Sequence, residues 1–212
     1  MKHRANKRKR GNAVVEFGLA ASLMIPVMIG STGVGLTLNR SIQVAQVTRD
    51  TTKMYFTGVD FSDSNNQKIV GRLASGMGLA SNSSGAINTS GNGVVVLSRV
   101  VKVGATECIL GGYSSGNCPN KDQLVVTRRQ VIGNSSLMTS RFGDPNSALI
   151  GAGGHIAASD YADEASVVVS SSSPAGALGL VAGQYTYVGE AFFQAPQWTG
   201  FFTNRAYAFN MM

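Results

Sequence analysis

Glu16 is the one carboxylate among the first 49 residues, and it stands at the edge of a run, 17–38, that has no formal charge. A carboxylate well inside a membrane costs about 2.5–3.5 kcal/mol on insertion scales, and less near the interface. Glu16 therefore needs a cation to pair with or a position from which it snorkels to the headgroups. Cys108 and Cys118 are the only cysteines. A close, even pair suits an oxidising compartment, and a bridge across a loop of about 10 residues contributes about 2–4 kcal/mol.

Other chemistries fail on context. Gly112-Tyr113-Ser114-Ser115-Gly116 has the G-x-S-x-G form. A nucleophile elbow needs a strand before it and a helix after it, whereas this copy lies in a Gly/Ser-rich stretch between the cysteines. His3 and His155 are the only histidines, so His155 would have to be the base. Two histidines and two cysteines here do not have zinc spacing. Residues 151–154 are Gly-rich but lack the preceding strand and trailing Lys of a phosphate loop. Asp160, Asp163 and Glu164 lack the alternating acidic pattern of a calcium loop. The expectation is a chain with no catalytic centre, no metal and no cofactor.

The elements that position Glu16 come next. Six of the 18 Lys/Arg (Lys2, Arg4, Lys7, Arg8, Lys9, Arg10) precede Gly11, which leaves 12 basic against 11 acidic side chains in the remainder. The net charge of +7 is thus a property of the leader. Basic residues ahead of an apolar helix act first as a topology signal, with the N-terminus inside and the C-terminus outside. No later basic patch is interleaved with aromatics, so nucleic acid is not an expected partner. As a helix, 17–38 is roughly 33 Å long, enough to cross a bilayer core. Pro26 is expected to kink it. A cleaved secretory signal remains open, with Ser31-Thr32-Gly33 as its small-residue site and a mature start near Val34.

Gly11, four further residues and then Glu16-Phe17, ahead of an apolar helix, resembles the class III/IV prepilin cleavage signature. The stretch Arg10-Gly11-Asn12-Ala13-Val14-Val15-Glu16-Phe17-Gly18-Leu19 resembles the TadE-like pseudopilins of tight-adherence (Flp) pilus systems. Near the other end, Val188-Gly189-Glu190-Ala191-Phe192 followed by Pro196 is similar to the closing strand of that family. The resemblance implies a leader, 1–11, cut after Gly11 by a membrane prepilin peptidase, leaving Asn12 as the first residue. It also implies Glu16 and Phe17 as recognition and register residues. The implied partners are other pilin or pseudopilin subunits and the assembly platform in a bacterial inner membrane, with the head exported. An α-amino group on Asn12 is mostly cationic at neutral pH, its reference pKa being about 7.7–8.0. It lies one helical turn from Glu16, so the two share a face.

The rest of the chain predicts an α+β head with an antiparallel sheet. The helix is expected to span 12–57, with Gln43, Gln46, Asp50 and Lys53 on one face and Ile42, Val44, Ala45, Val47, Met54 and Phe56 over most of the remainder. The polar run 62–67 ends it. A short helix is expected over 68–80, with Ile69, Val70, Leu73 and Met77 on one side. Strands are expected at 94–103, 123–132, 184–193 and 204–209, and 165–170 is a further candidate. In the second strand, Val125, Thr127, Arg129 and Val131 alternate against Val126, Arg128 and Gln130. Residues 104–122 read as a long hairpin loop holding both cysteines, and 135–158 as a surface excursion. With the leader and helix, the head over 58–212 completes the organisation. The alternative is a signal-anchored or secreted β-rich surface protein that binds carbohydrate, with Trp198, Phe201 and Phe202 as an aromatic surface or as core.

Overall fold

The computed structural model describes residues 9–114, 116–170, 173–174, 176, 179–194 and 205–212. The chain divides into two compact units, Met1–Arg40 and Ser41–Met212. Helix α1, Lys9–Phe56, begins in the first and ends in the second, and it runs through Pro26 without interruption.

The second unit is built on a four-stranded antiparallel sheet: β1 (Gly93–Lys102), β2 (Leu124–Gly133), β3 (Tyr185–Gln194) and β4 (Arg205–Met211), in the order β2-β1-β3-β4. The α+β class and the four expected strands are as the sequence indicates. β1 is buried along almost its whole length because Val94, Val95, Val96, Leu97, Val100 and Val101 fill both of its faces. One face packs on the last four turns of α1, where Val44, Val47 and Tyr55 join Val95, Leu97, Ile132, Ala191 and Phe193 in one core. The other face meets loops and short helices. There Val100, Val126, Val188, Phe142, Ile156, Val167 and the two cysteines form a second core.

The buried stripe of α1 contains Thr48, Thr51 and Thr52. Each threonine hydroxyl donates to the carbonyl four residues back, at 2.7, 2.7 and 2.6 Å, so none of these three is left unpaired against the sheet. Gly189 of β3 lies directly under Thr52, where any Cβ would overlap the threonine hydroxyl. Of the apolar residues on this part of α1, Ile42 and Phe56 are 57% and 52% exposed.

Several expectations are corrected. Helix α2 is Ser64–Leu73, not 68–80. It starts inside the polar run because the Asp63 carboxylate accepts from the Asn65 N–H at 2.8 Å and caps it. Its inner face is Val70 and Gly71, followed by Ala74 and Met77, while Ile69 and Leu73 face outward. The cysteine loop contains a helix, α3 (Ala105–Leu110). The excursion 135–158 is not purely surface, since it buries Phe142 completely. It also leads into α4, Ala158–Asp163. Residues 165–170 form a 3-10 turn and one bridge, Val168 to Val125, rather than a strand. The alternation expected in β2 breaks at a bulge between Arg99 and Val100, where the partner jumps from Arg128 to Val126 and Thr127 is the extra residue. Pro196, Trp198, Phe201 and Phe202 lie outside the described residues.

Candidate functional site

Gly11, Asn12, Glu16 and Phe17 all lie on helical backbone in the first turns of α1. Helical geometry sets Asn12 and Glu16 on one face, a single turn apart. Glu16 is exposed, and Phe17 is 76% exposed. The large apolar side chains of this half of α1 are exposed: Val14 72%, Leu19 65%, Leu23 73%, Val27 69%, Leu36 60%. A helix apolar all round is suited to lipid or to a protein interior, and none of this apolar window is buried within the structure. Its polar groups are already satisfied. Ser22, Ser31, Thr32 and Thr37 donate to Leu19, Met28, Met28 and Gly33 carbonyls at 2.8, 3.0, 2.8 and 2.9 Å. Hydroxyls paired within their own helix are what a solvent without hydrogen bonds demands.

A second constellation lies inside the head and centres on Glu190, which is 0% exposed. The Arg141 N–H and the Tyr207 hydroxyl both donate to Glu190 Oε1 at 2.9 Å, and the Ser140 hydroxyl donates to Oε2. Ser140 Oγ in turn accepts from Arg129 Nη2 at 3.3 Å and from the Phe142 N–H at 3.1 Å. Arg129, 4% exposed, also donates to the Gly143 carbonyl at 2.6 Å and pairs with Asp144 at 3.4 Å. A serine hydroxyl thus relays one buried charge to the other. Burial lowers the Arg129 pKa, against the pull of Glu190 and then Asp144. Burial, the Glu190 charge and their hydrogen bond push the Tyr207 phenol up. The sequence marks Glu190 only through its strand. Ser140 lies in what reads as surface loop, and Arg129 sits on an apparently alternating strand, so no local signal joins them.

A third cluster ties the end of α1 to β2. Asp60 accepts from Arg128 at 2.8 Å and from Gln130 at 2.9 Å, while Arg128 stands over the Tyr55 ring, 5.6 Å from its centroid. The Ser62 N–H, then Gln130 and the Ser62 hydroxyl, hold the Asp60 pKa down at about 2.

The expected disulfide Cys108–Cys118 is formed, with Cα atoms 5.6 Å apart. Ser114 stands exposed in the turn between the cysteines, and His155 is bridged to Arg128 at the edge of β2. No hydrogen bond joins Ser114 to His155 among the described residues. Asp163 accepts from the Tyr113 hydroxyl at 2.8 Å. Among the described residues no three His, Cys, Asp or Glu side chains are grouped as metal ligands.

These elements define an α+β protein with a disulfide-braced sheet domain and, near its N-terminus, one helix long and apolar enough to cross a membrane, compatible with a single-pass anchor. Comparison with protein-family models, curated proteins and solved structures finds no match to this chain.

Proposed function

We propose that the chain is a pseudopilin-type structural subunit of a tight-adherence (Flp) or type IV-like pilus assembly system, without catalytic activity of its own. The observation that carries this reading is the spacing Gly11-x4-Glu16-Phe17 at the start of a helix whose first half is apolar all round and whose second half is the seat of a folded head. In this reading a prepilin peptidase hydrolyses the bond after Gly11 and removes the basic leader. The ammonium so created on Asn12 lies one turn from Glu16 and offsets the cost of holding a carboxylate at the membrane edge. When the ammonium belongs to a neighbouring subunit, the same pair sets the register between adjacent helices. The chain sits in the inner membrane with its N-terminus cytoplasmic before assembly, and the head is exported.

Intact mass of the protein extracted from membranes containing the peptidase tests this. A mature start at Asn12 is expected. Retention of residues 1–11 overturns the reading, and a start near Val34 favours a secreted surface protein instead. A Glu16→Ala variant is expected to be processed yet to stay out of the assembled fibre. Unchanged assembly of that variant reduces Glu16 to a residue that merely reaches the headgroups.

A further inference from the structure

Arg99 on β1 stands directly opposite Arg128 on β2 and Tyr187 on β3. Opposed residues of antiparallel strands share a face, and like charges so placed destabilise a sheet. The two guanidiniums are held differently. Arg128 donates to Asp60 and to the Gly153 carbonyl, each at 2.8 Å, and lies over the Tyr55 ring. Arg99 is half-buried, and its Nε donates to the Thr127 hydroxyl at 2.9 Å. Thr127, the extra residue of the β2 bulge, donates back to the Arg99 carbonyl at 3.2 Å. The guanidinium is thus fixed by its Nε, and its two Nη groups have no acceptor among the described residues. Nor does any carboxylate among those residues come within ion-pair distance of Arg99.

The groups around this pair do not balance it. Asp60 is already engaged by Arg128, Gln130 and the Ser62 N–H. Glu107, the acid that acts with Arg99 on Tyr161, accepts from the Gly104 N–H at 2.9 Å and caps α3. Desolvation, then Arg128 and Arg99, push the His155 imidazole below its ordinary pKa, so it adds no counter-charge and is neutral at pH 7. Burial raises the Tyr55 phenol, and Arg128 and then Arg99 draw it down. Its hydroxyl, on a residue 2% exposed, has no partner among the described residues. Two guanidiniums against one carboxylate leave one positive charge unmatched on a half-buried face. Donors withdrawn from water are normally satisfied, and an unpaired charge there is costly. The guanidinium fork matches the oxygens of a carboxylate or a phosphate.

We infer that the sheet face between Arg99 and Arg128 is a binding site for a small oxyanion, a phosphate or carboxylate group, with the Tyr55 hydroxyl as a third donor at its base. Arg99 supplies the unmatched charge, and Arg128, steadied by Asp60, supplies a fixed second donor. Tyr187 and the 60%-exposed Tyr185, their rings 5.8 Å apart, stand beside Arg99 and offer aromatic surface to whatever group carries the anion. All of these residues belong to the second unit, so the inference needs no particular N-terminus.

The test uses the full chain extracted in detergent. Sodium phosphate or sodium acetate replaces chloride at low-millimolar concentration and constant ionic strength. The melting temperature is expected to rise saturably, by about 2–4 °C. A rise with phosphate alone assigns a phosphate group, and a rise with acetate assigns a carboxylate. Arg99→Gln is expected to abolish the rise. Arg49→Gln, at an exposed arginine of α1, is expected to keep it, which separates a site from a general salt effect. Arg99→Lys keeps the charge and loses the fork, and is expected to need several-fold more anion for half-saturation. That variant decides if Arg99→Gln does not melt cooperatively. No saturable rise with either anion, an equal rise in Arg99→Gln, or an unchanged half-saturation in Arg99→Lys overturns the inference.

Discussion

Gly189 and Thr52, 137 positions apart in sequence, are in direct contact: the glycine leaves β3 bare at the point where the threonine hydroxyl presses on it. The approach is available only because Thr52 turns its hydroxyl back to the Thr48 carbonyl at 2.6 Å. A methyl group at 189 must push the helix off the sheet. Gly189→Ala is expected to destabilise the head by about 1–3 kcal/mol, the usual cost of overpacking. In thermal unfolding that is a fall of about 2–4 °C per kcal/mol for a domain of this size. Thr52→Ala added to it removes the obstructing atom and is expected to recover part of the loss, giving a coupling of about 0.5 kcal/mol or more in a double-mutant cycle.

Glu190→Ala strips Arg129 of the nearest buried counter-charge and leaves the Tyr207 and Ser140 hydroxyls without their acceptor. The expected cost is about 3–5 kcal/mol, because an unbalanced charge is worse than no charge. Ser140→Ala, which cuts the relay but keeps both charges, is expected to cost about 1–3 kcal/mol. Urea unfolding of the two variants distinguishes these magnitudes.

Asp60 gives a pH dependence with a definite sign. Its folded pKa, about 2, is below the ordinary 3.8, so its stabilisation is fully present above about pH 4. It is lost as the pH falls toward 2. Asp60→Asn is therefore expected to lower the melting temperature at pH 6, and the gap to the unaltered protein should close between pH 4 and 2. A gap that stays constant to pH 2 contradicts this assignment.

Tyr55 supplies the alkaline counterpart. Burial, opposed by Arg128 and Arg99, raises its phenol to about 12 from the ordinary 10. Stability that depends on the neutral phenol is present below pH 10 and is lost as the pH rises toward 12. Its hydroxyl has no hydrogen-bond partner among the described residues. Tyr55→Phe is expected to leave stability at pH 7 unchanged or slightly raised, and to extend folding to higher pH. Melting curves at pH 7, 10 and 11.5 measure both effects.

The strands were legible because valine runs and period-two alternation are local, and the apolar half of α1 was legible because length and charge suffice. The inner face of the other half was not. Three threonines look polar in sequence, yet each hides its hydroxyl in the helix and packs on the sheet. The start of α2 was misplaced because one cap, Asp63, outweighs the polarity of the residues after it. Phe142 and Ser140 sat in a Gly- and Ser-rich stretch whose burial depends on Glu190, some 50 positions later. Of the site residues, Glu16 could be singled out by its isolation and the two cysteines by their proximity. The Glu190–Ser140–Arg129 relay joins three distant segments, and nothing within any one of them announces the others.

The strand order also fixes when the head can close. β3 is central, flanked by β1 and β4, yet it comes after both β1 and β2 in the chain. Until the ribosome has added residue 194, the buried stripe of α1 has only β1 and β2 to lie on and lacks the Gly189 notch beneath Thr52. The inner stripe of α1 therefore stays partly bare until a strand some 130 residues downstream arrives to cover it.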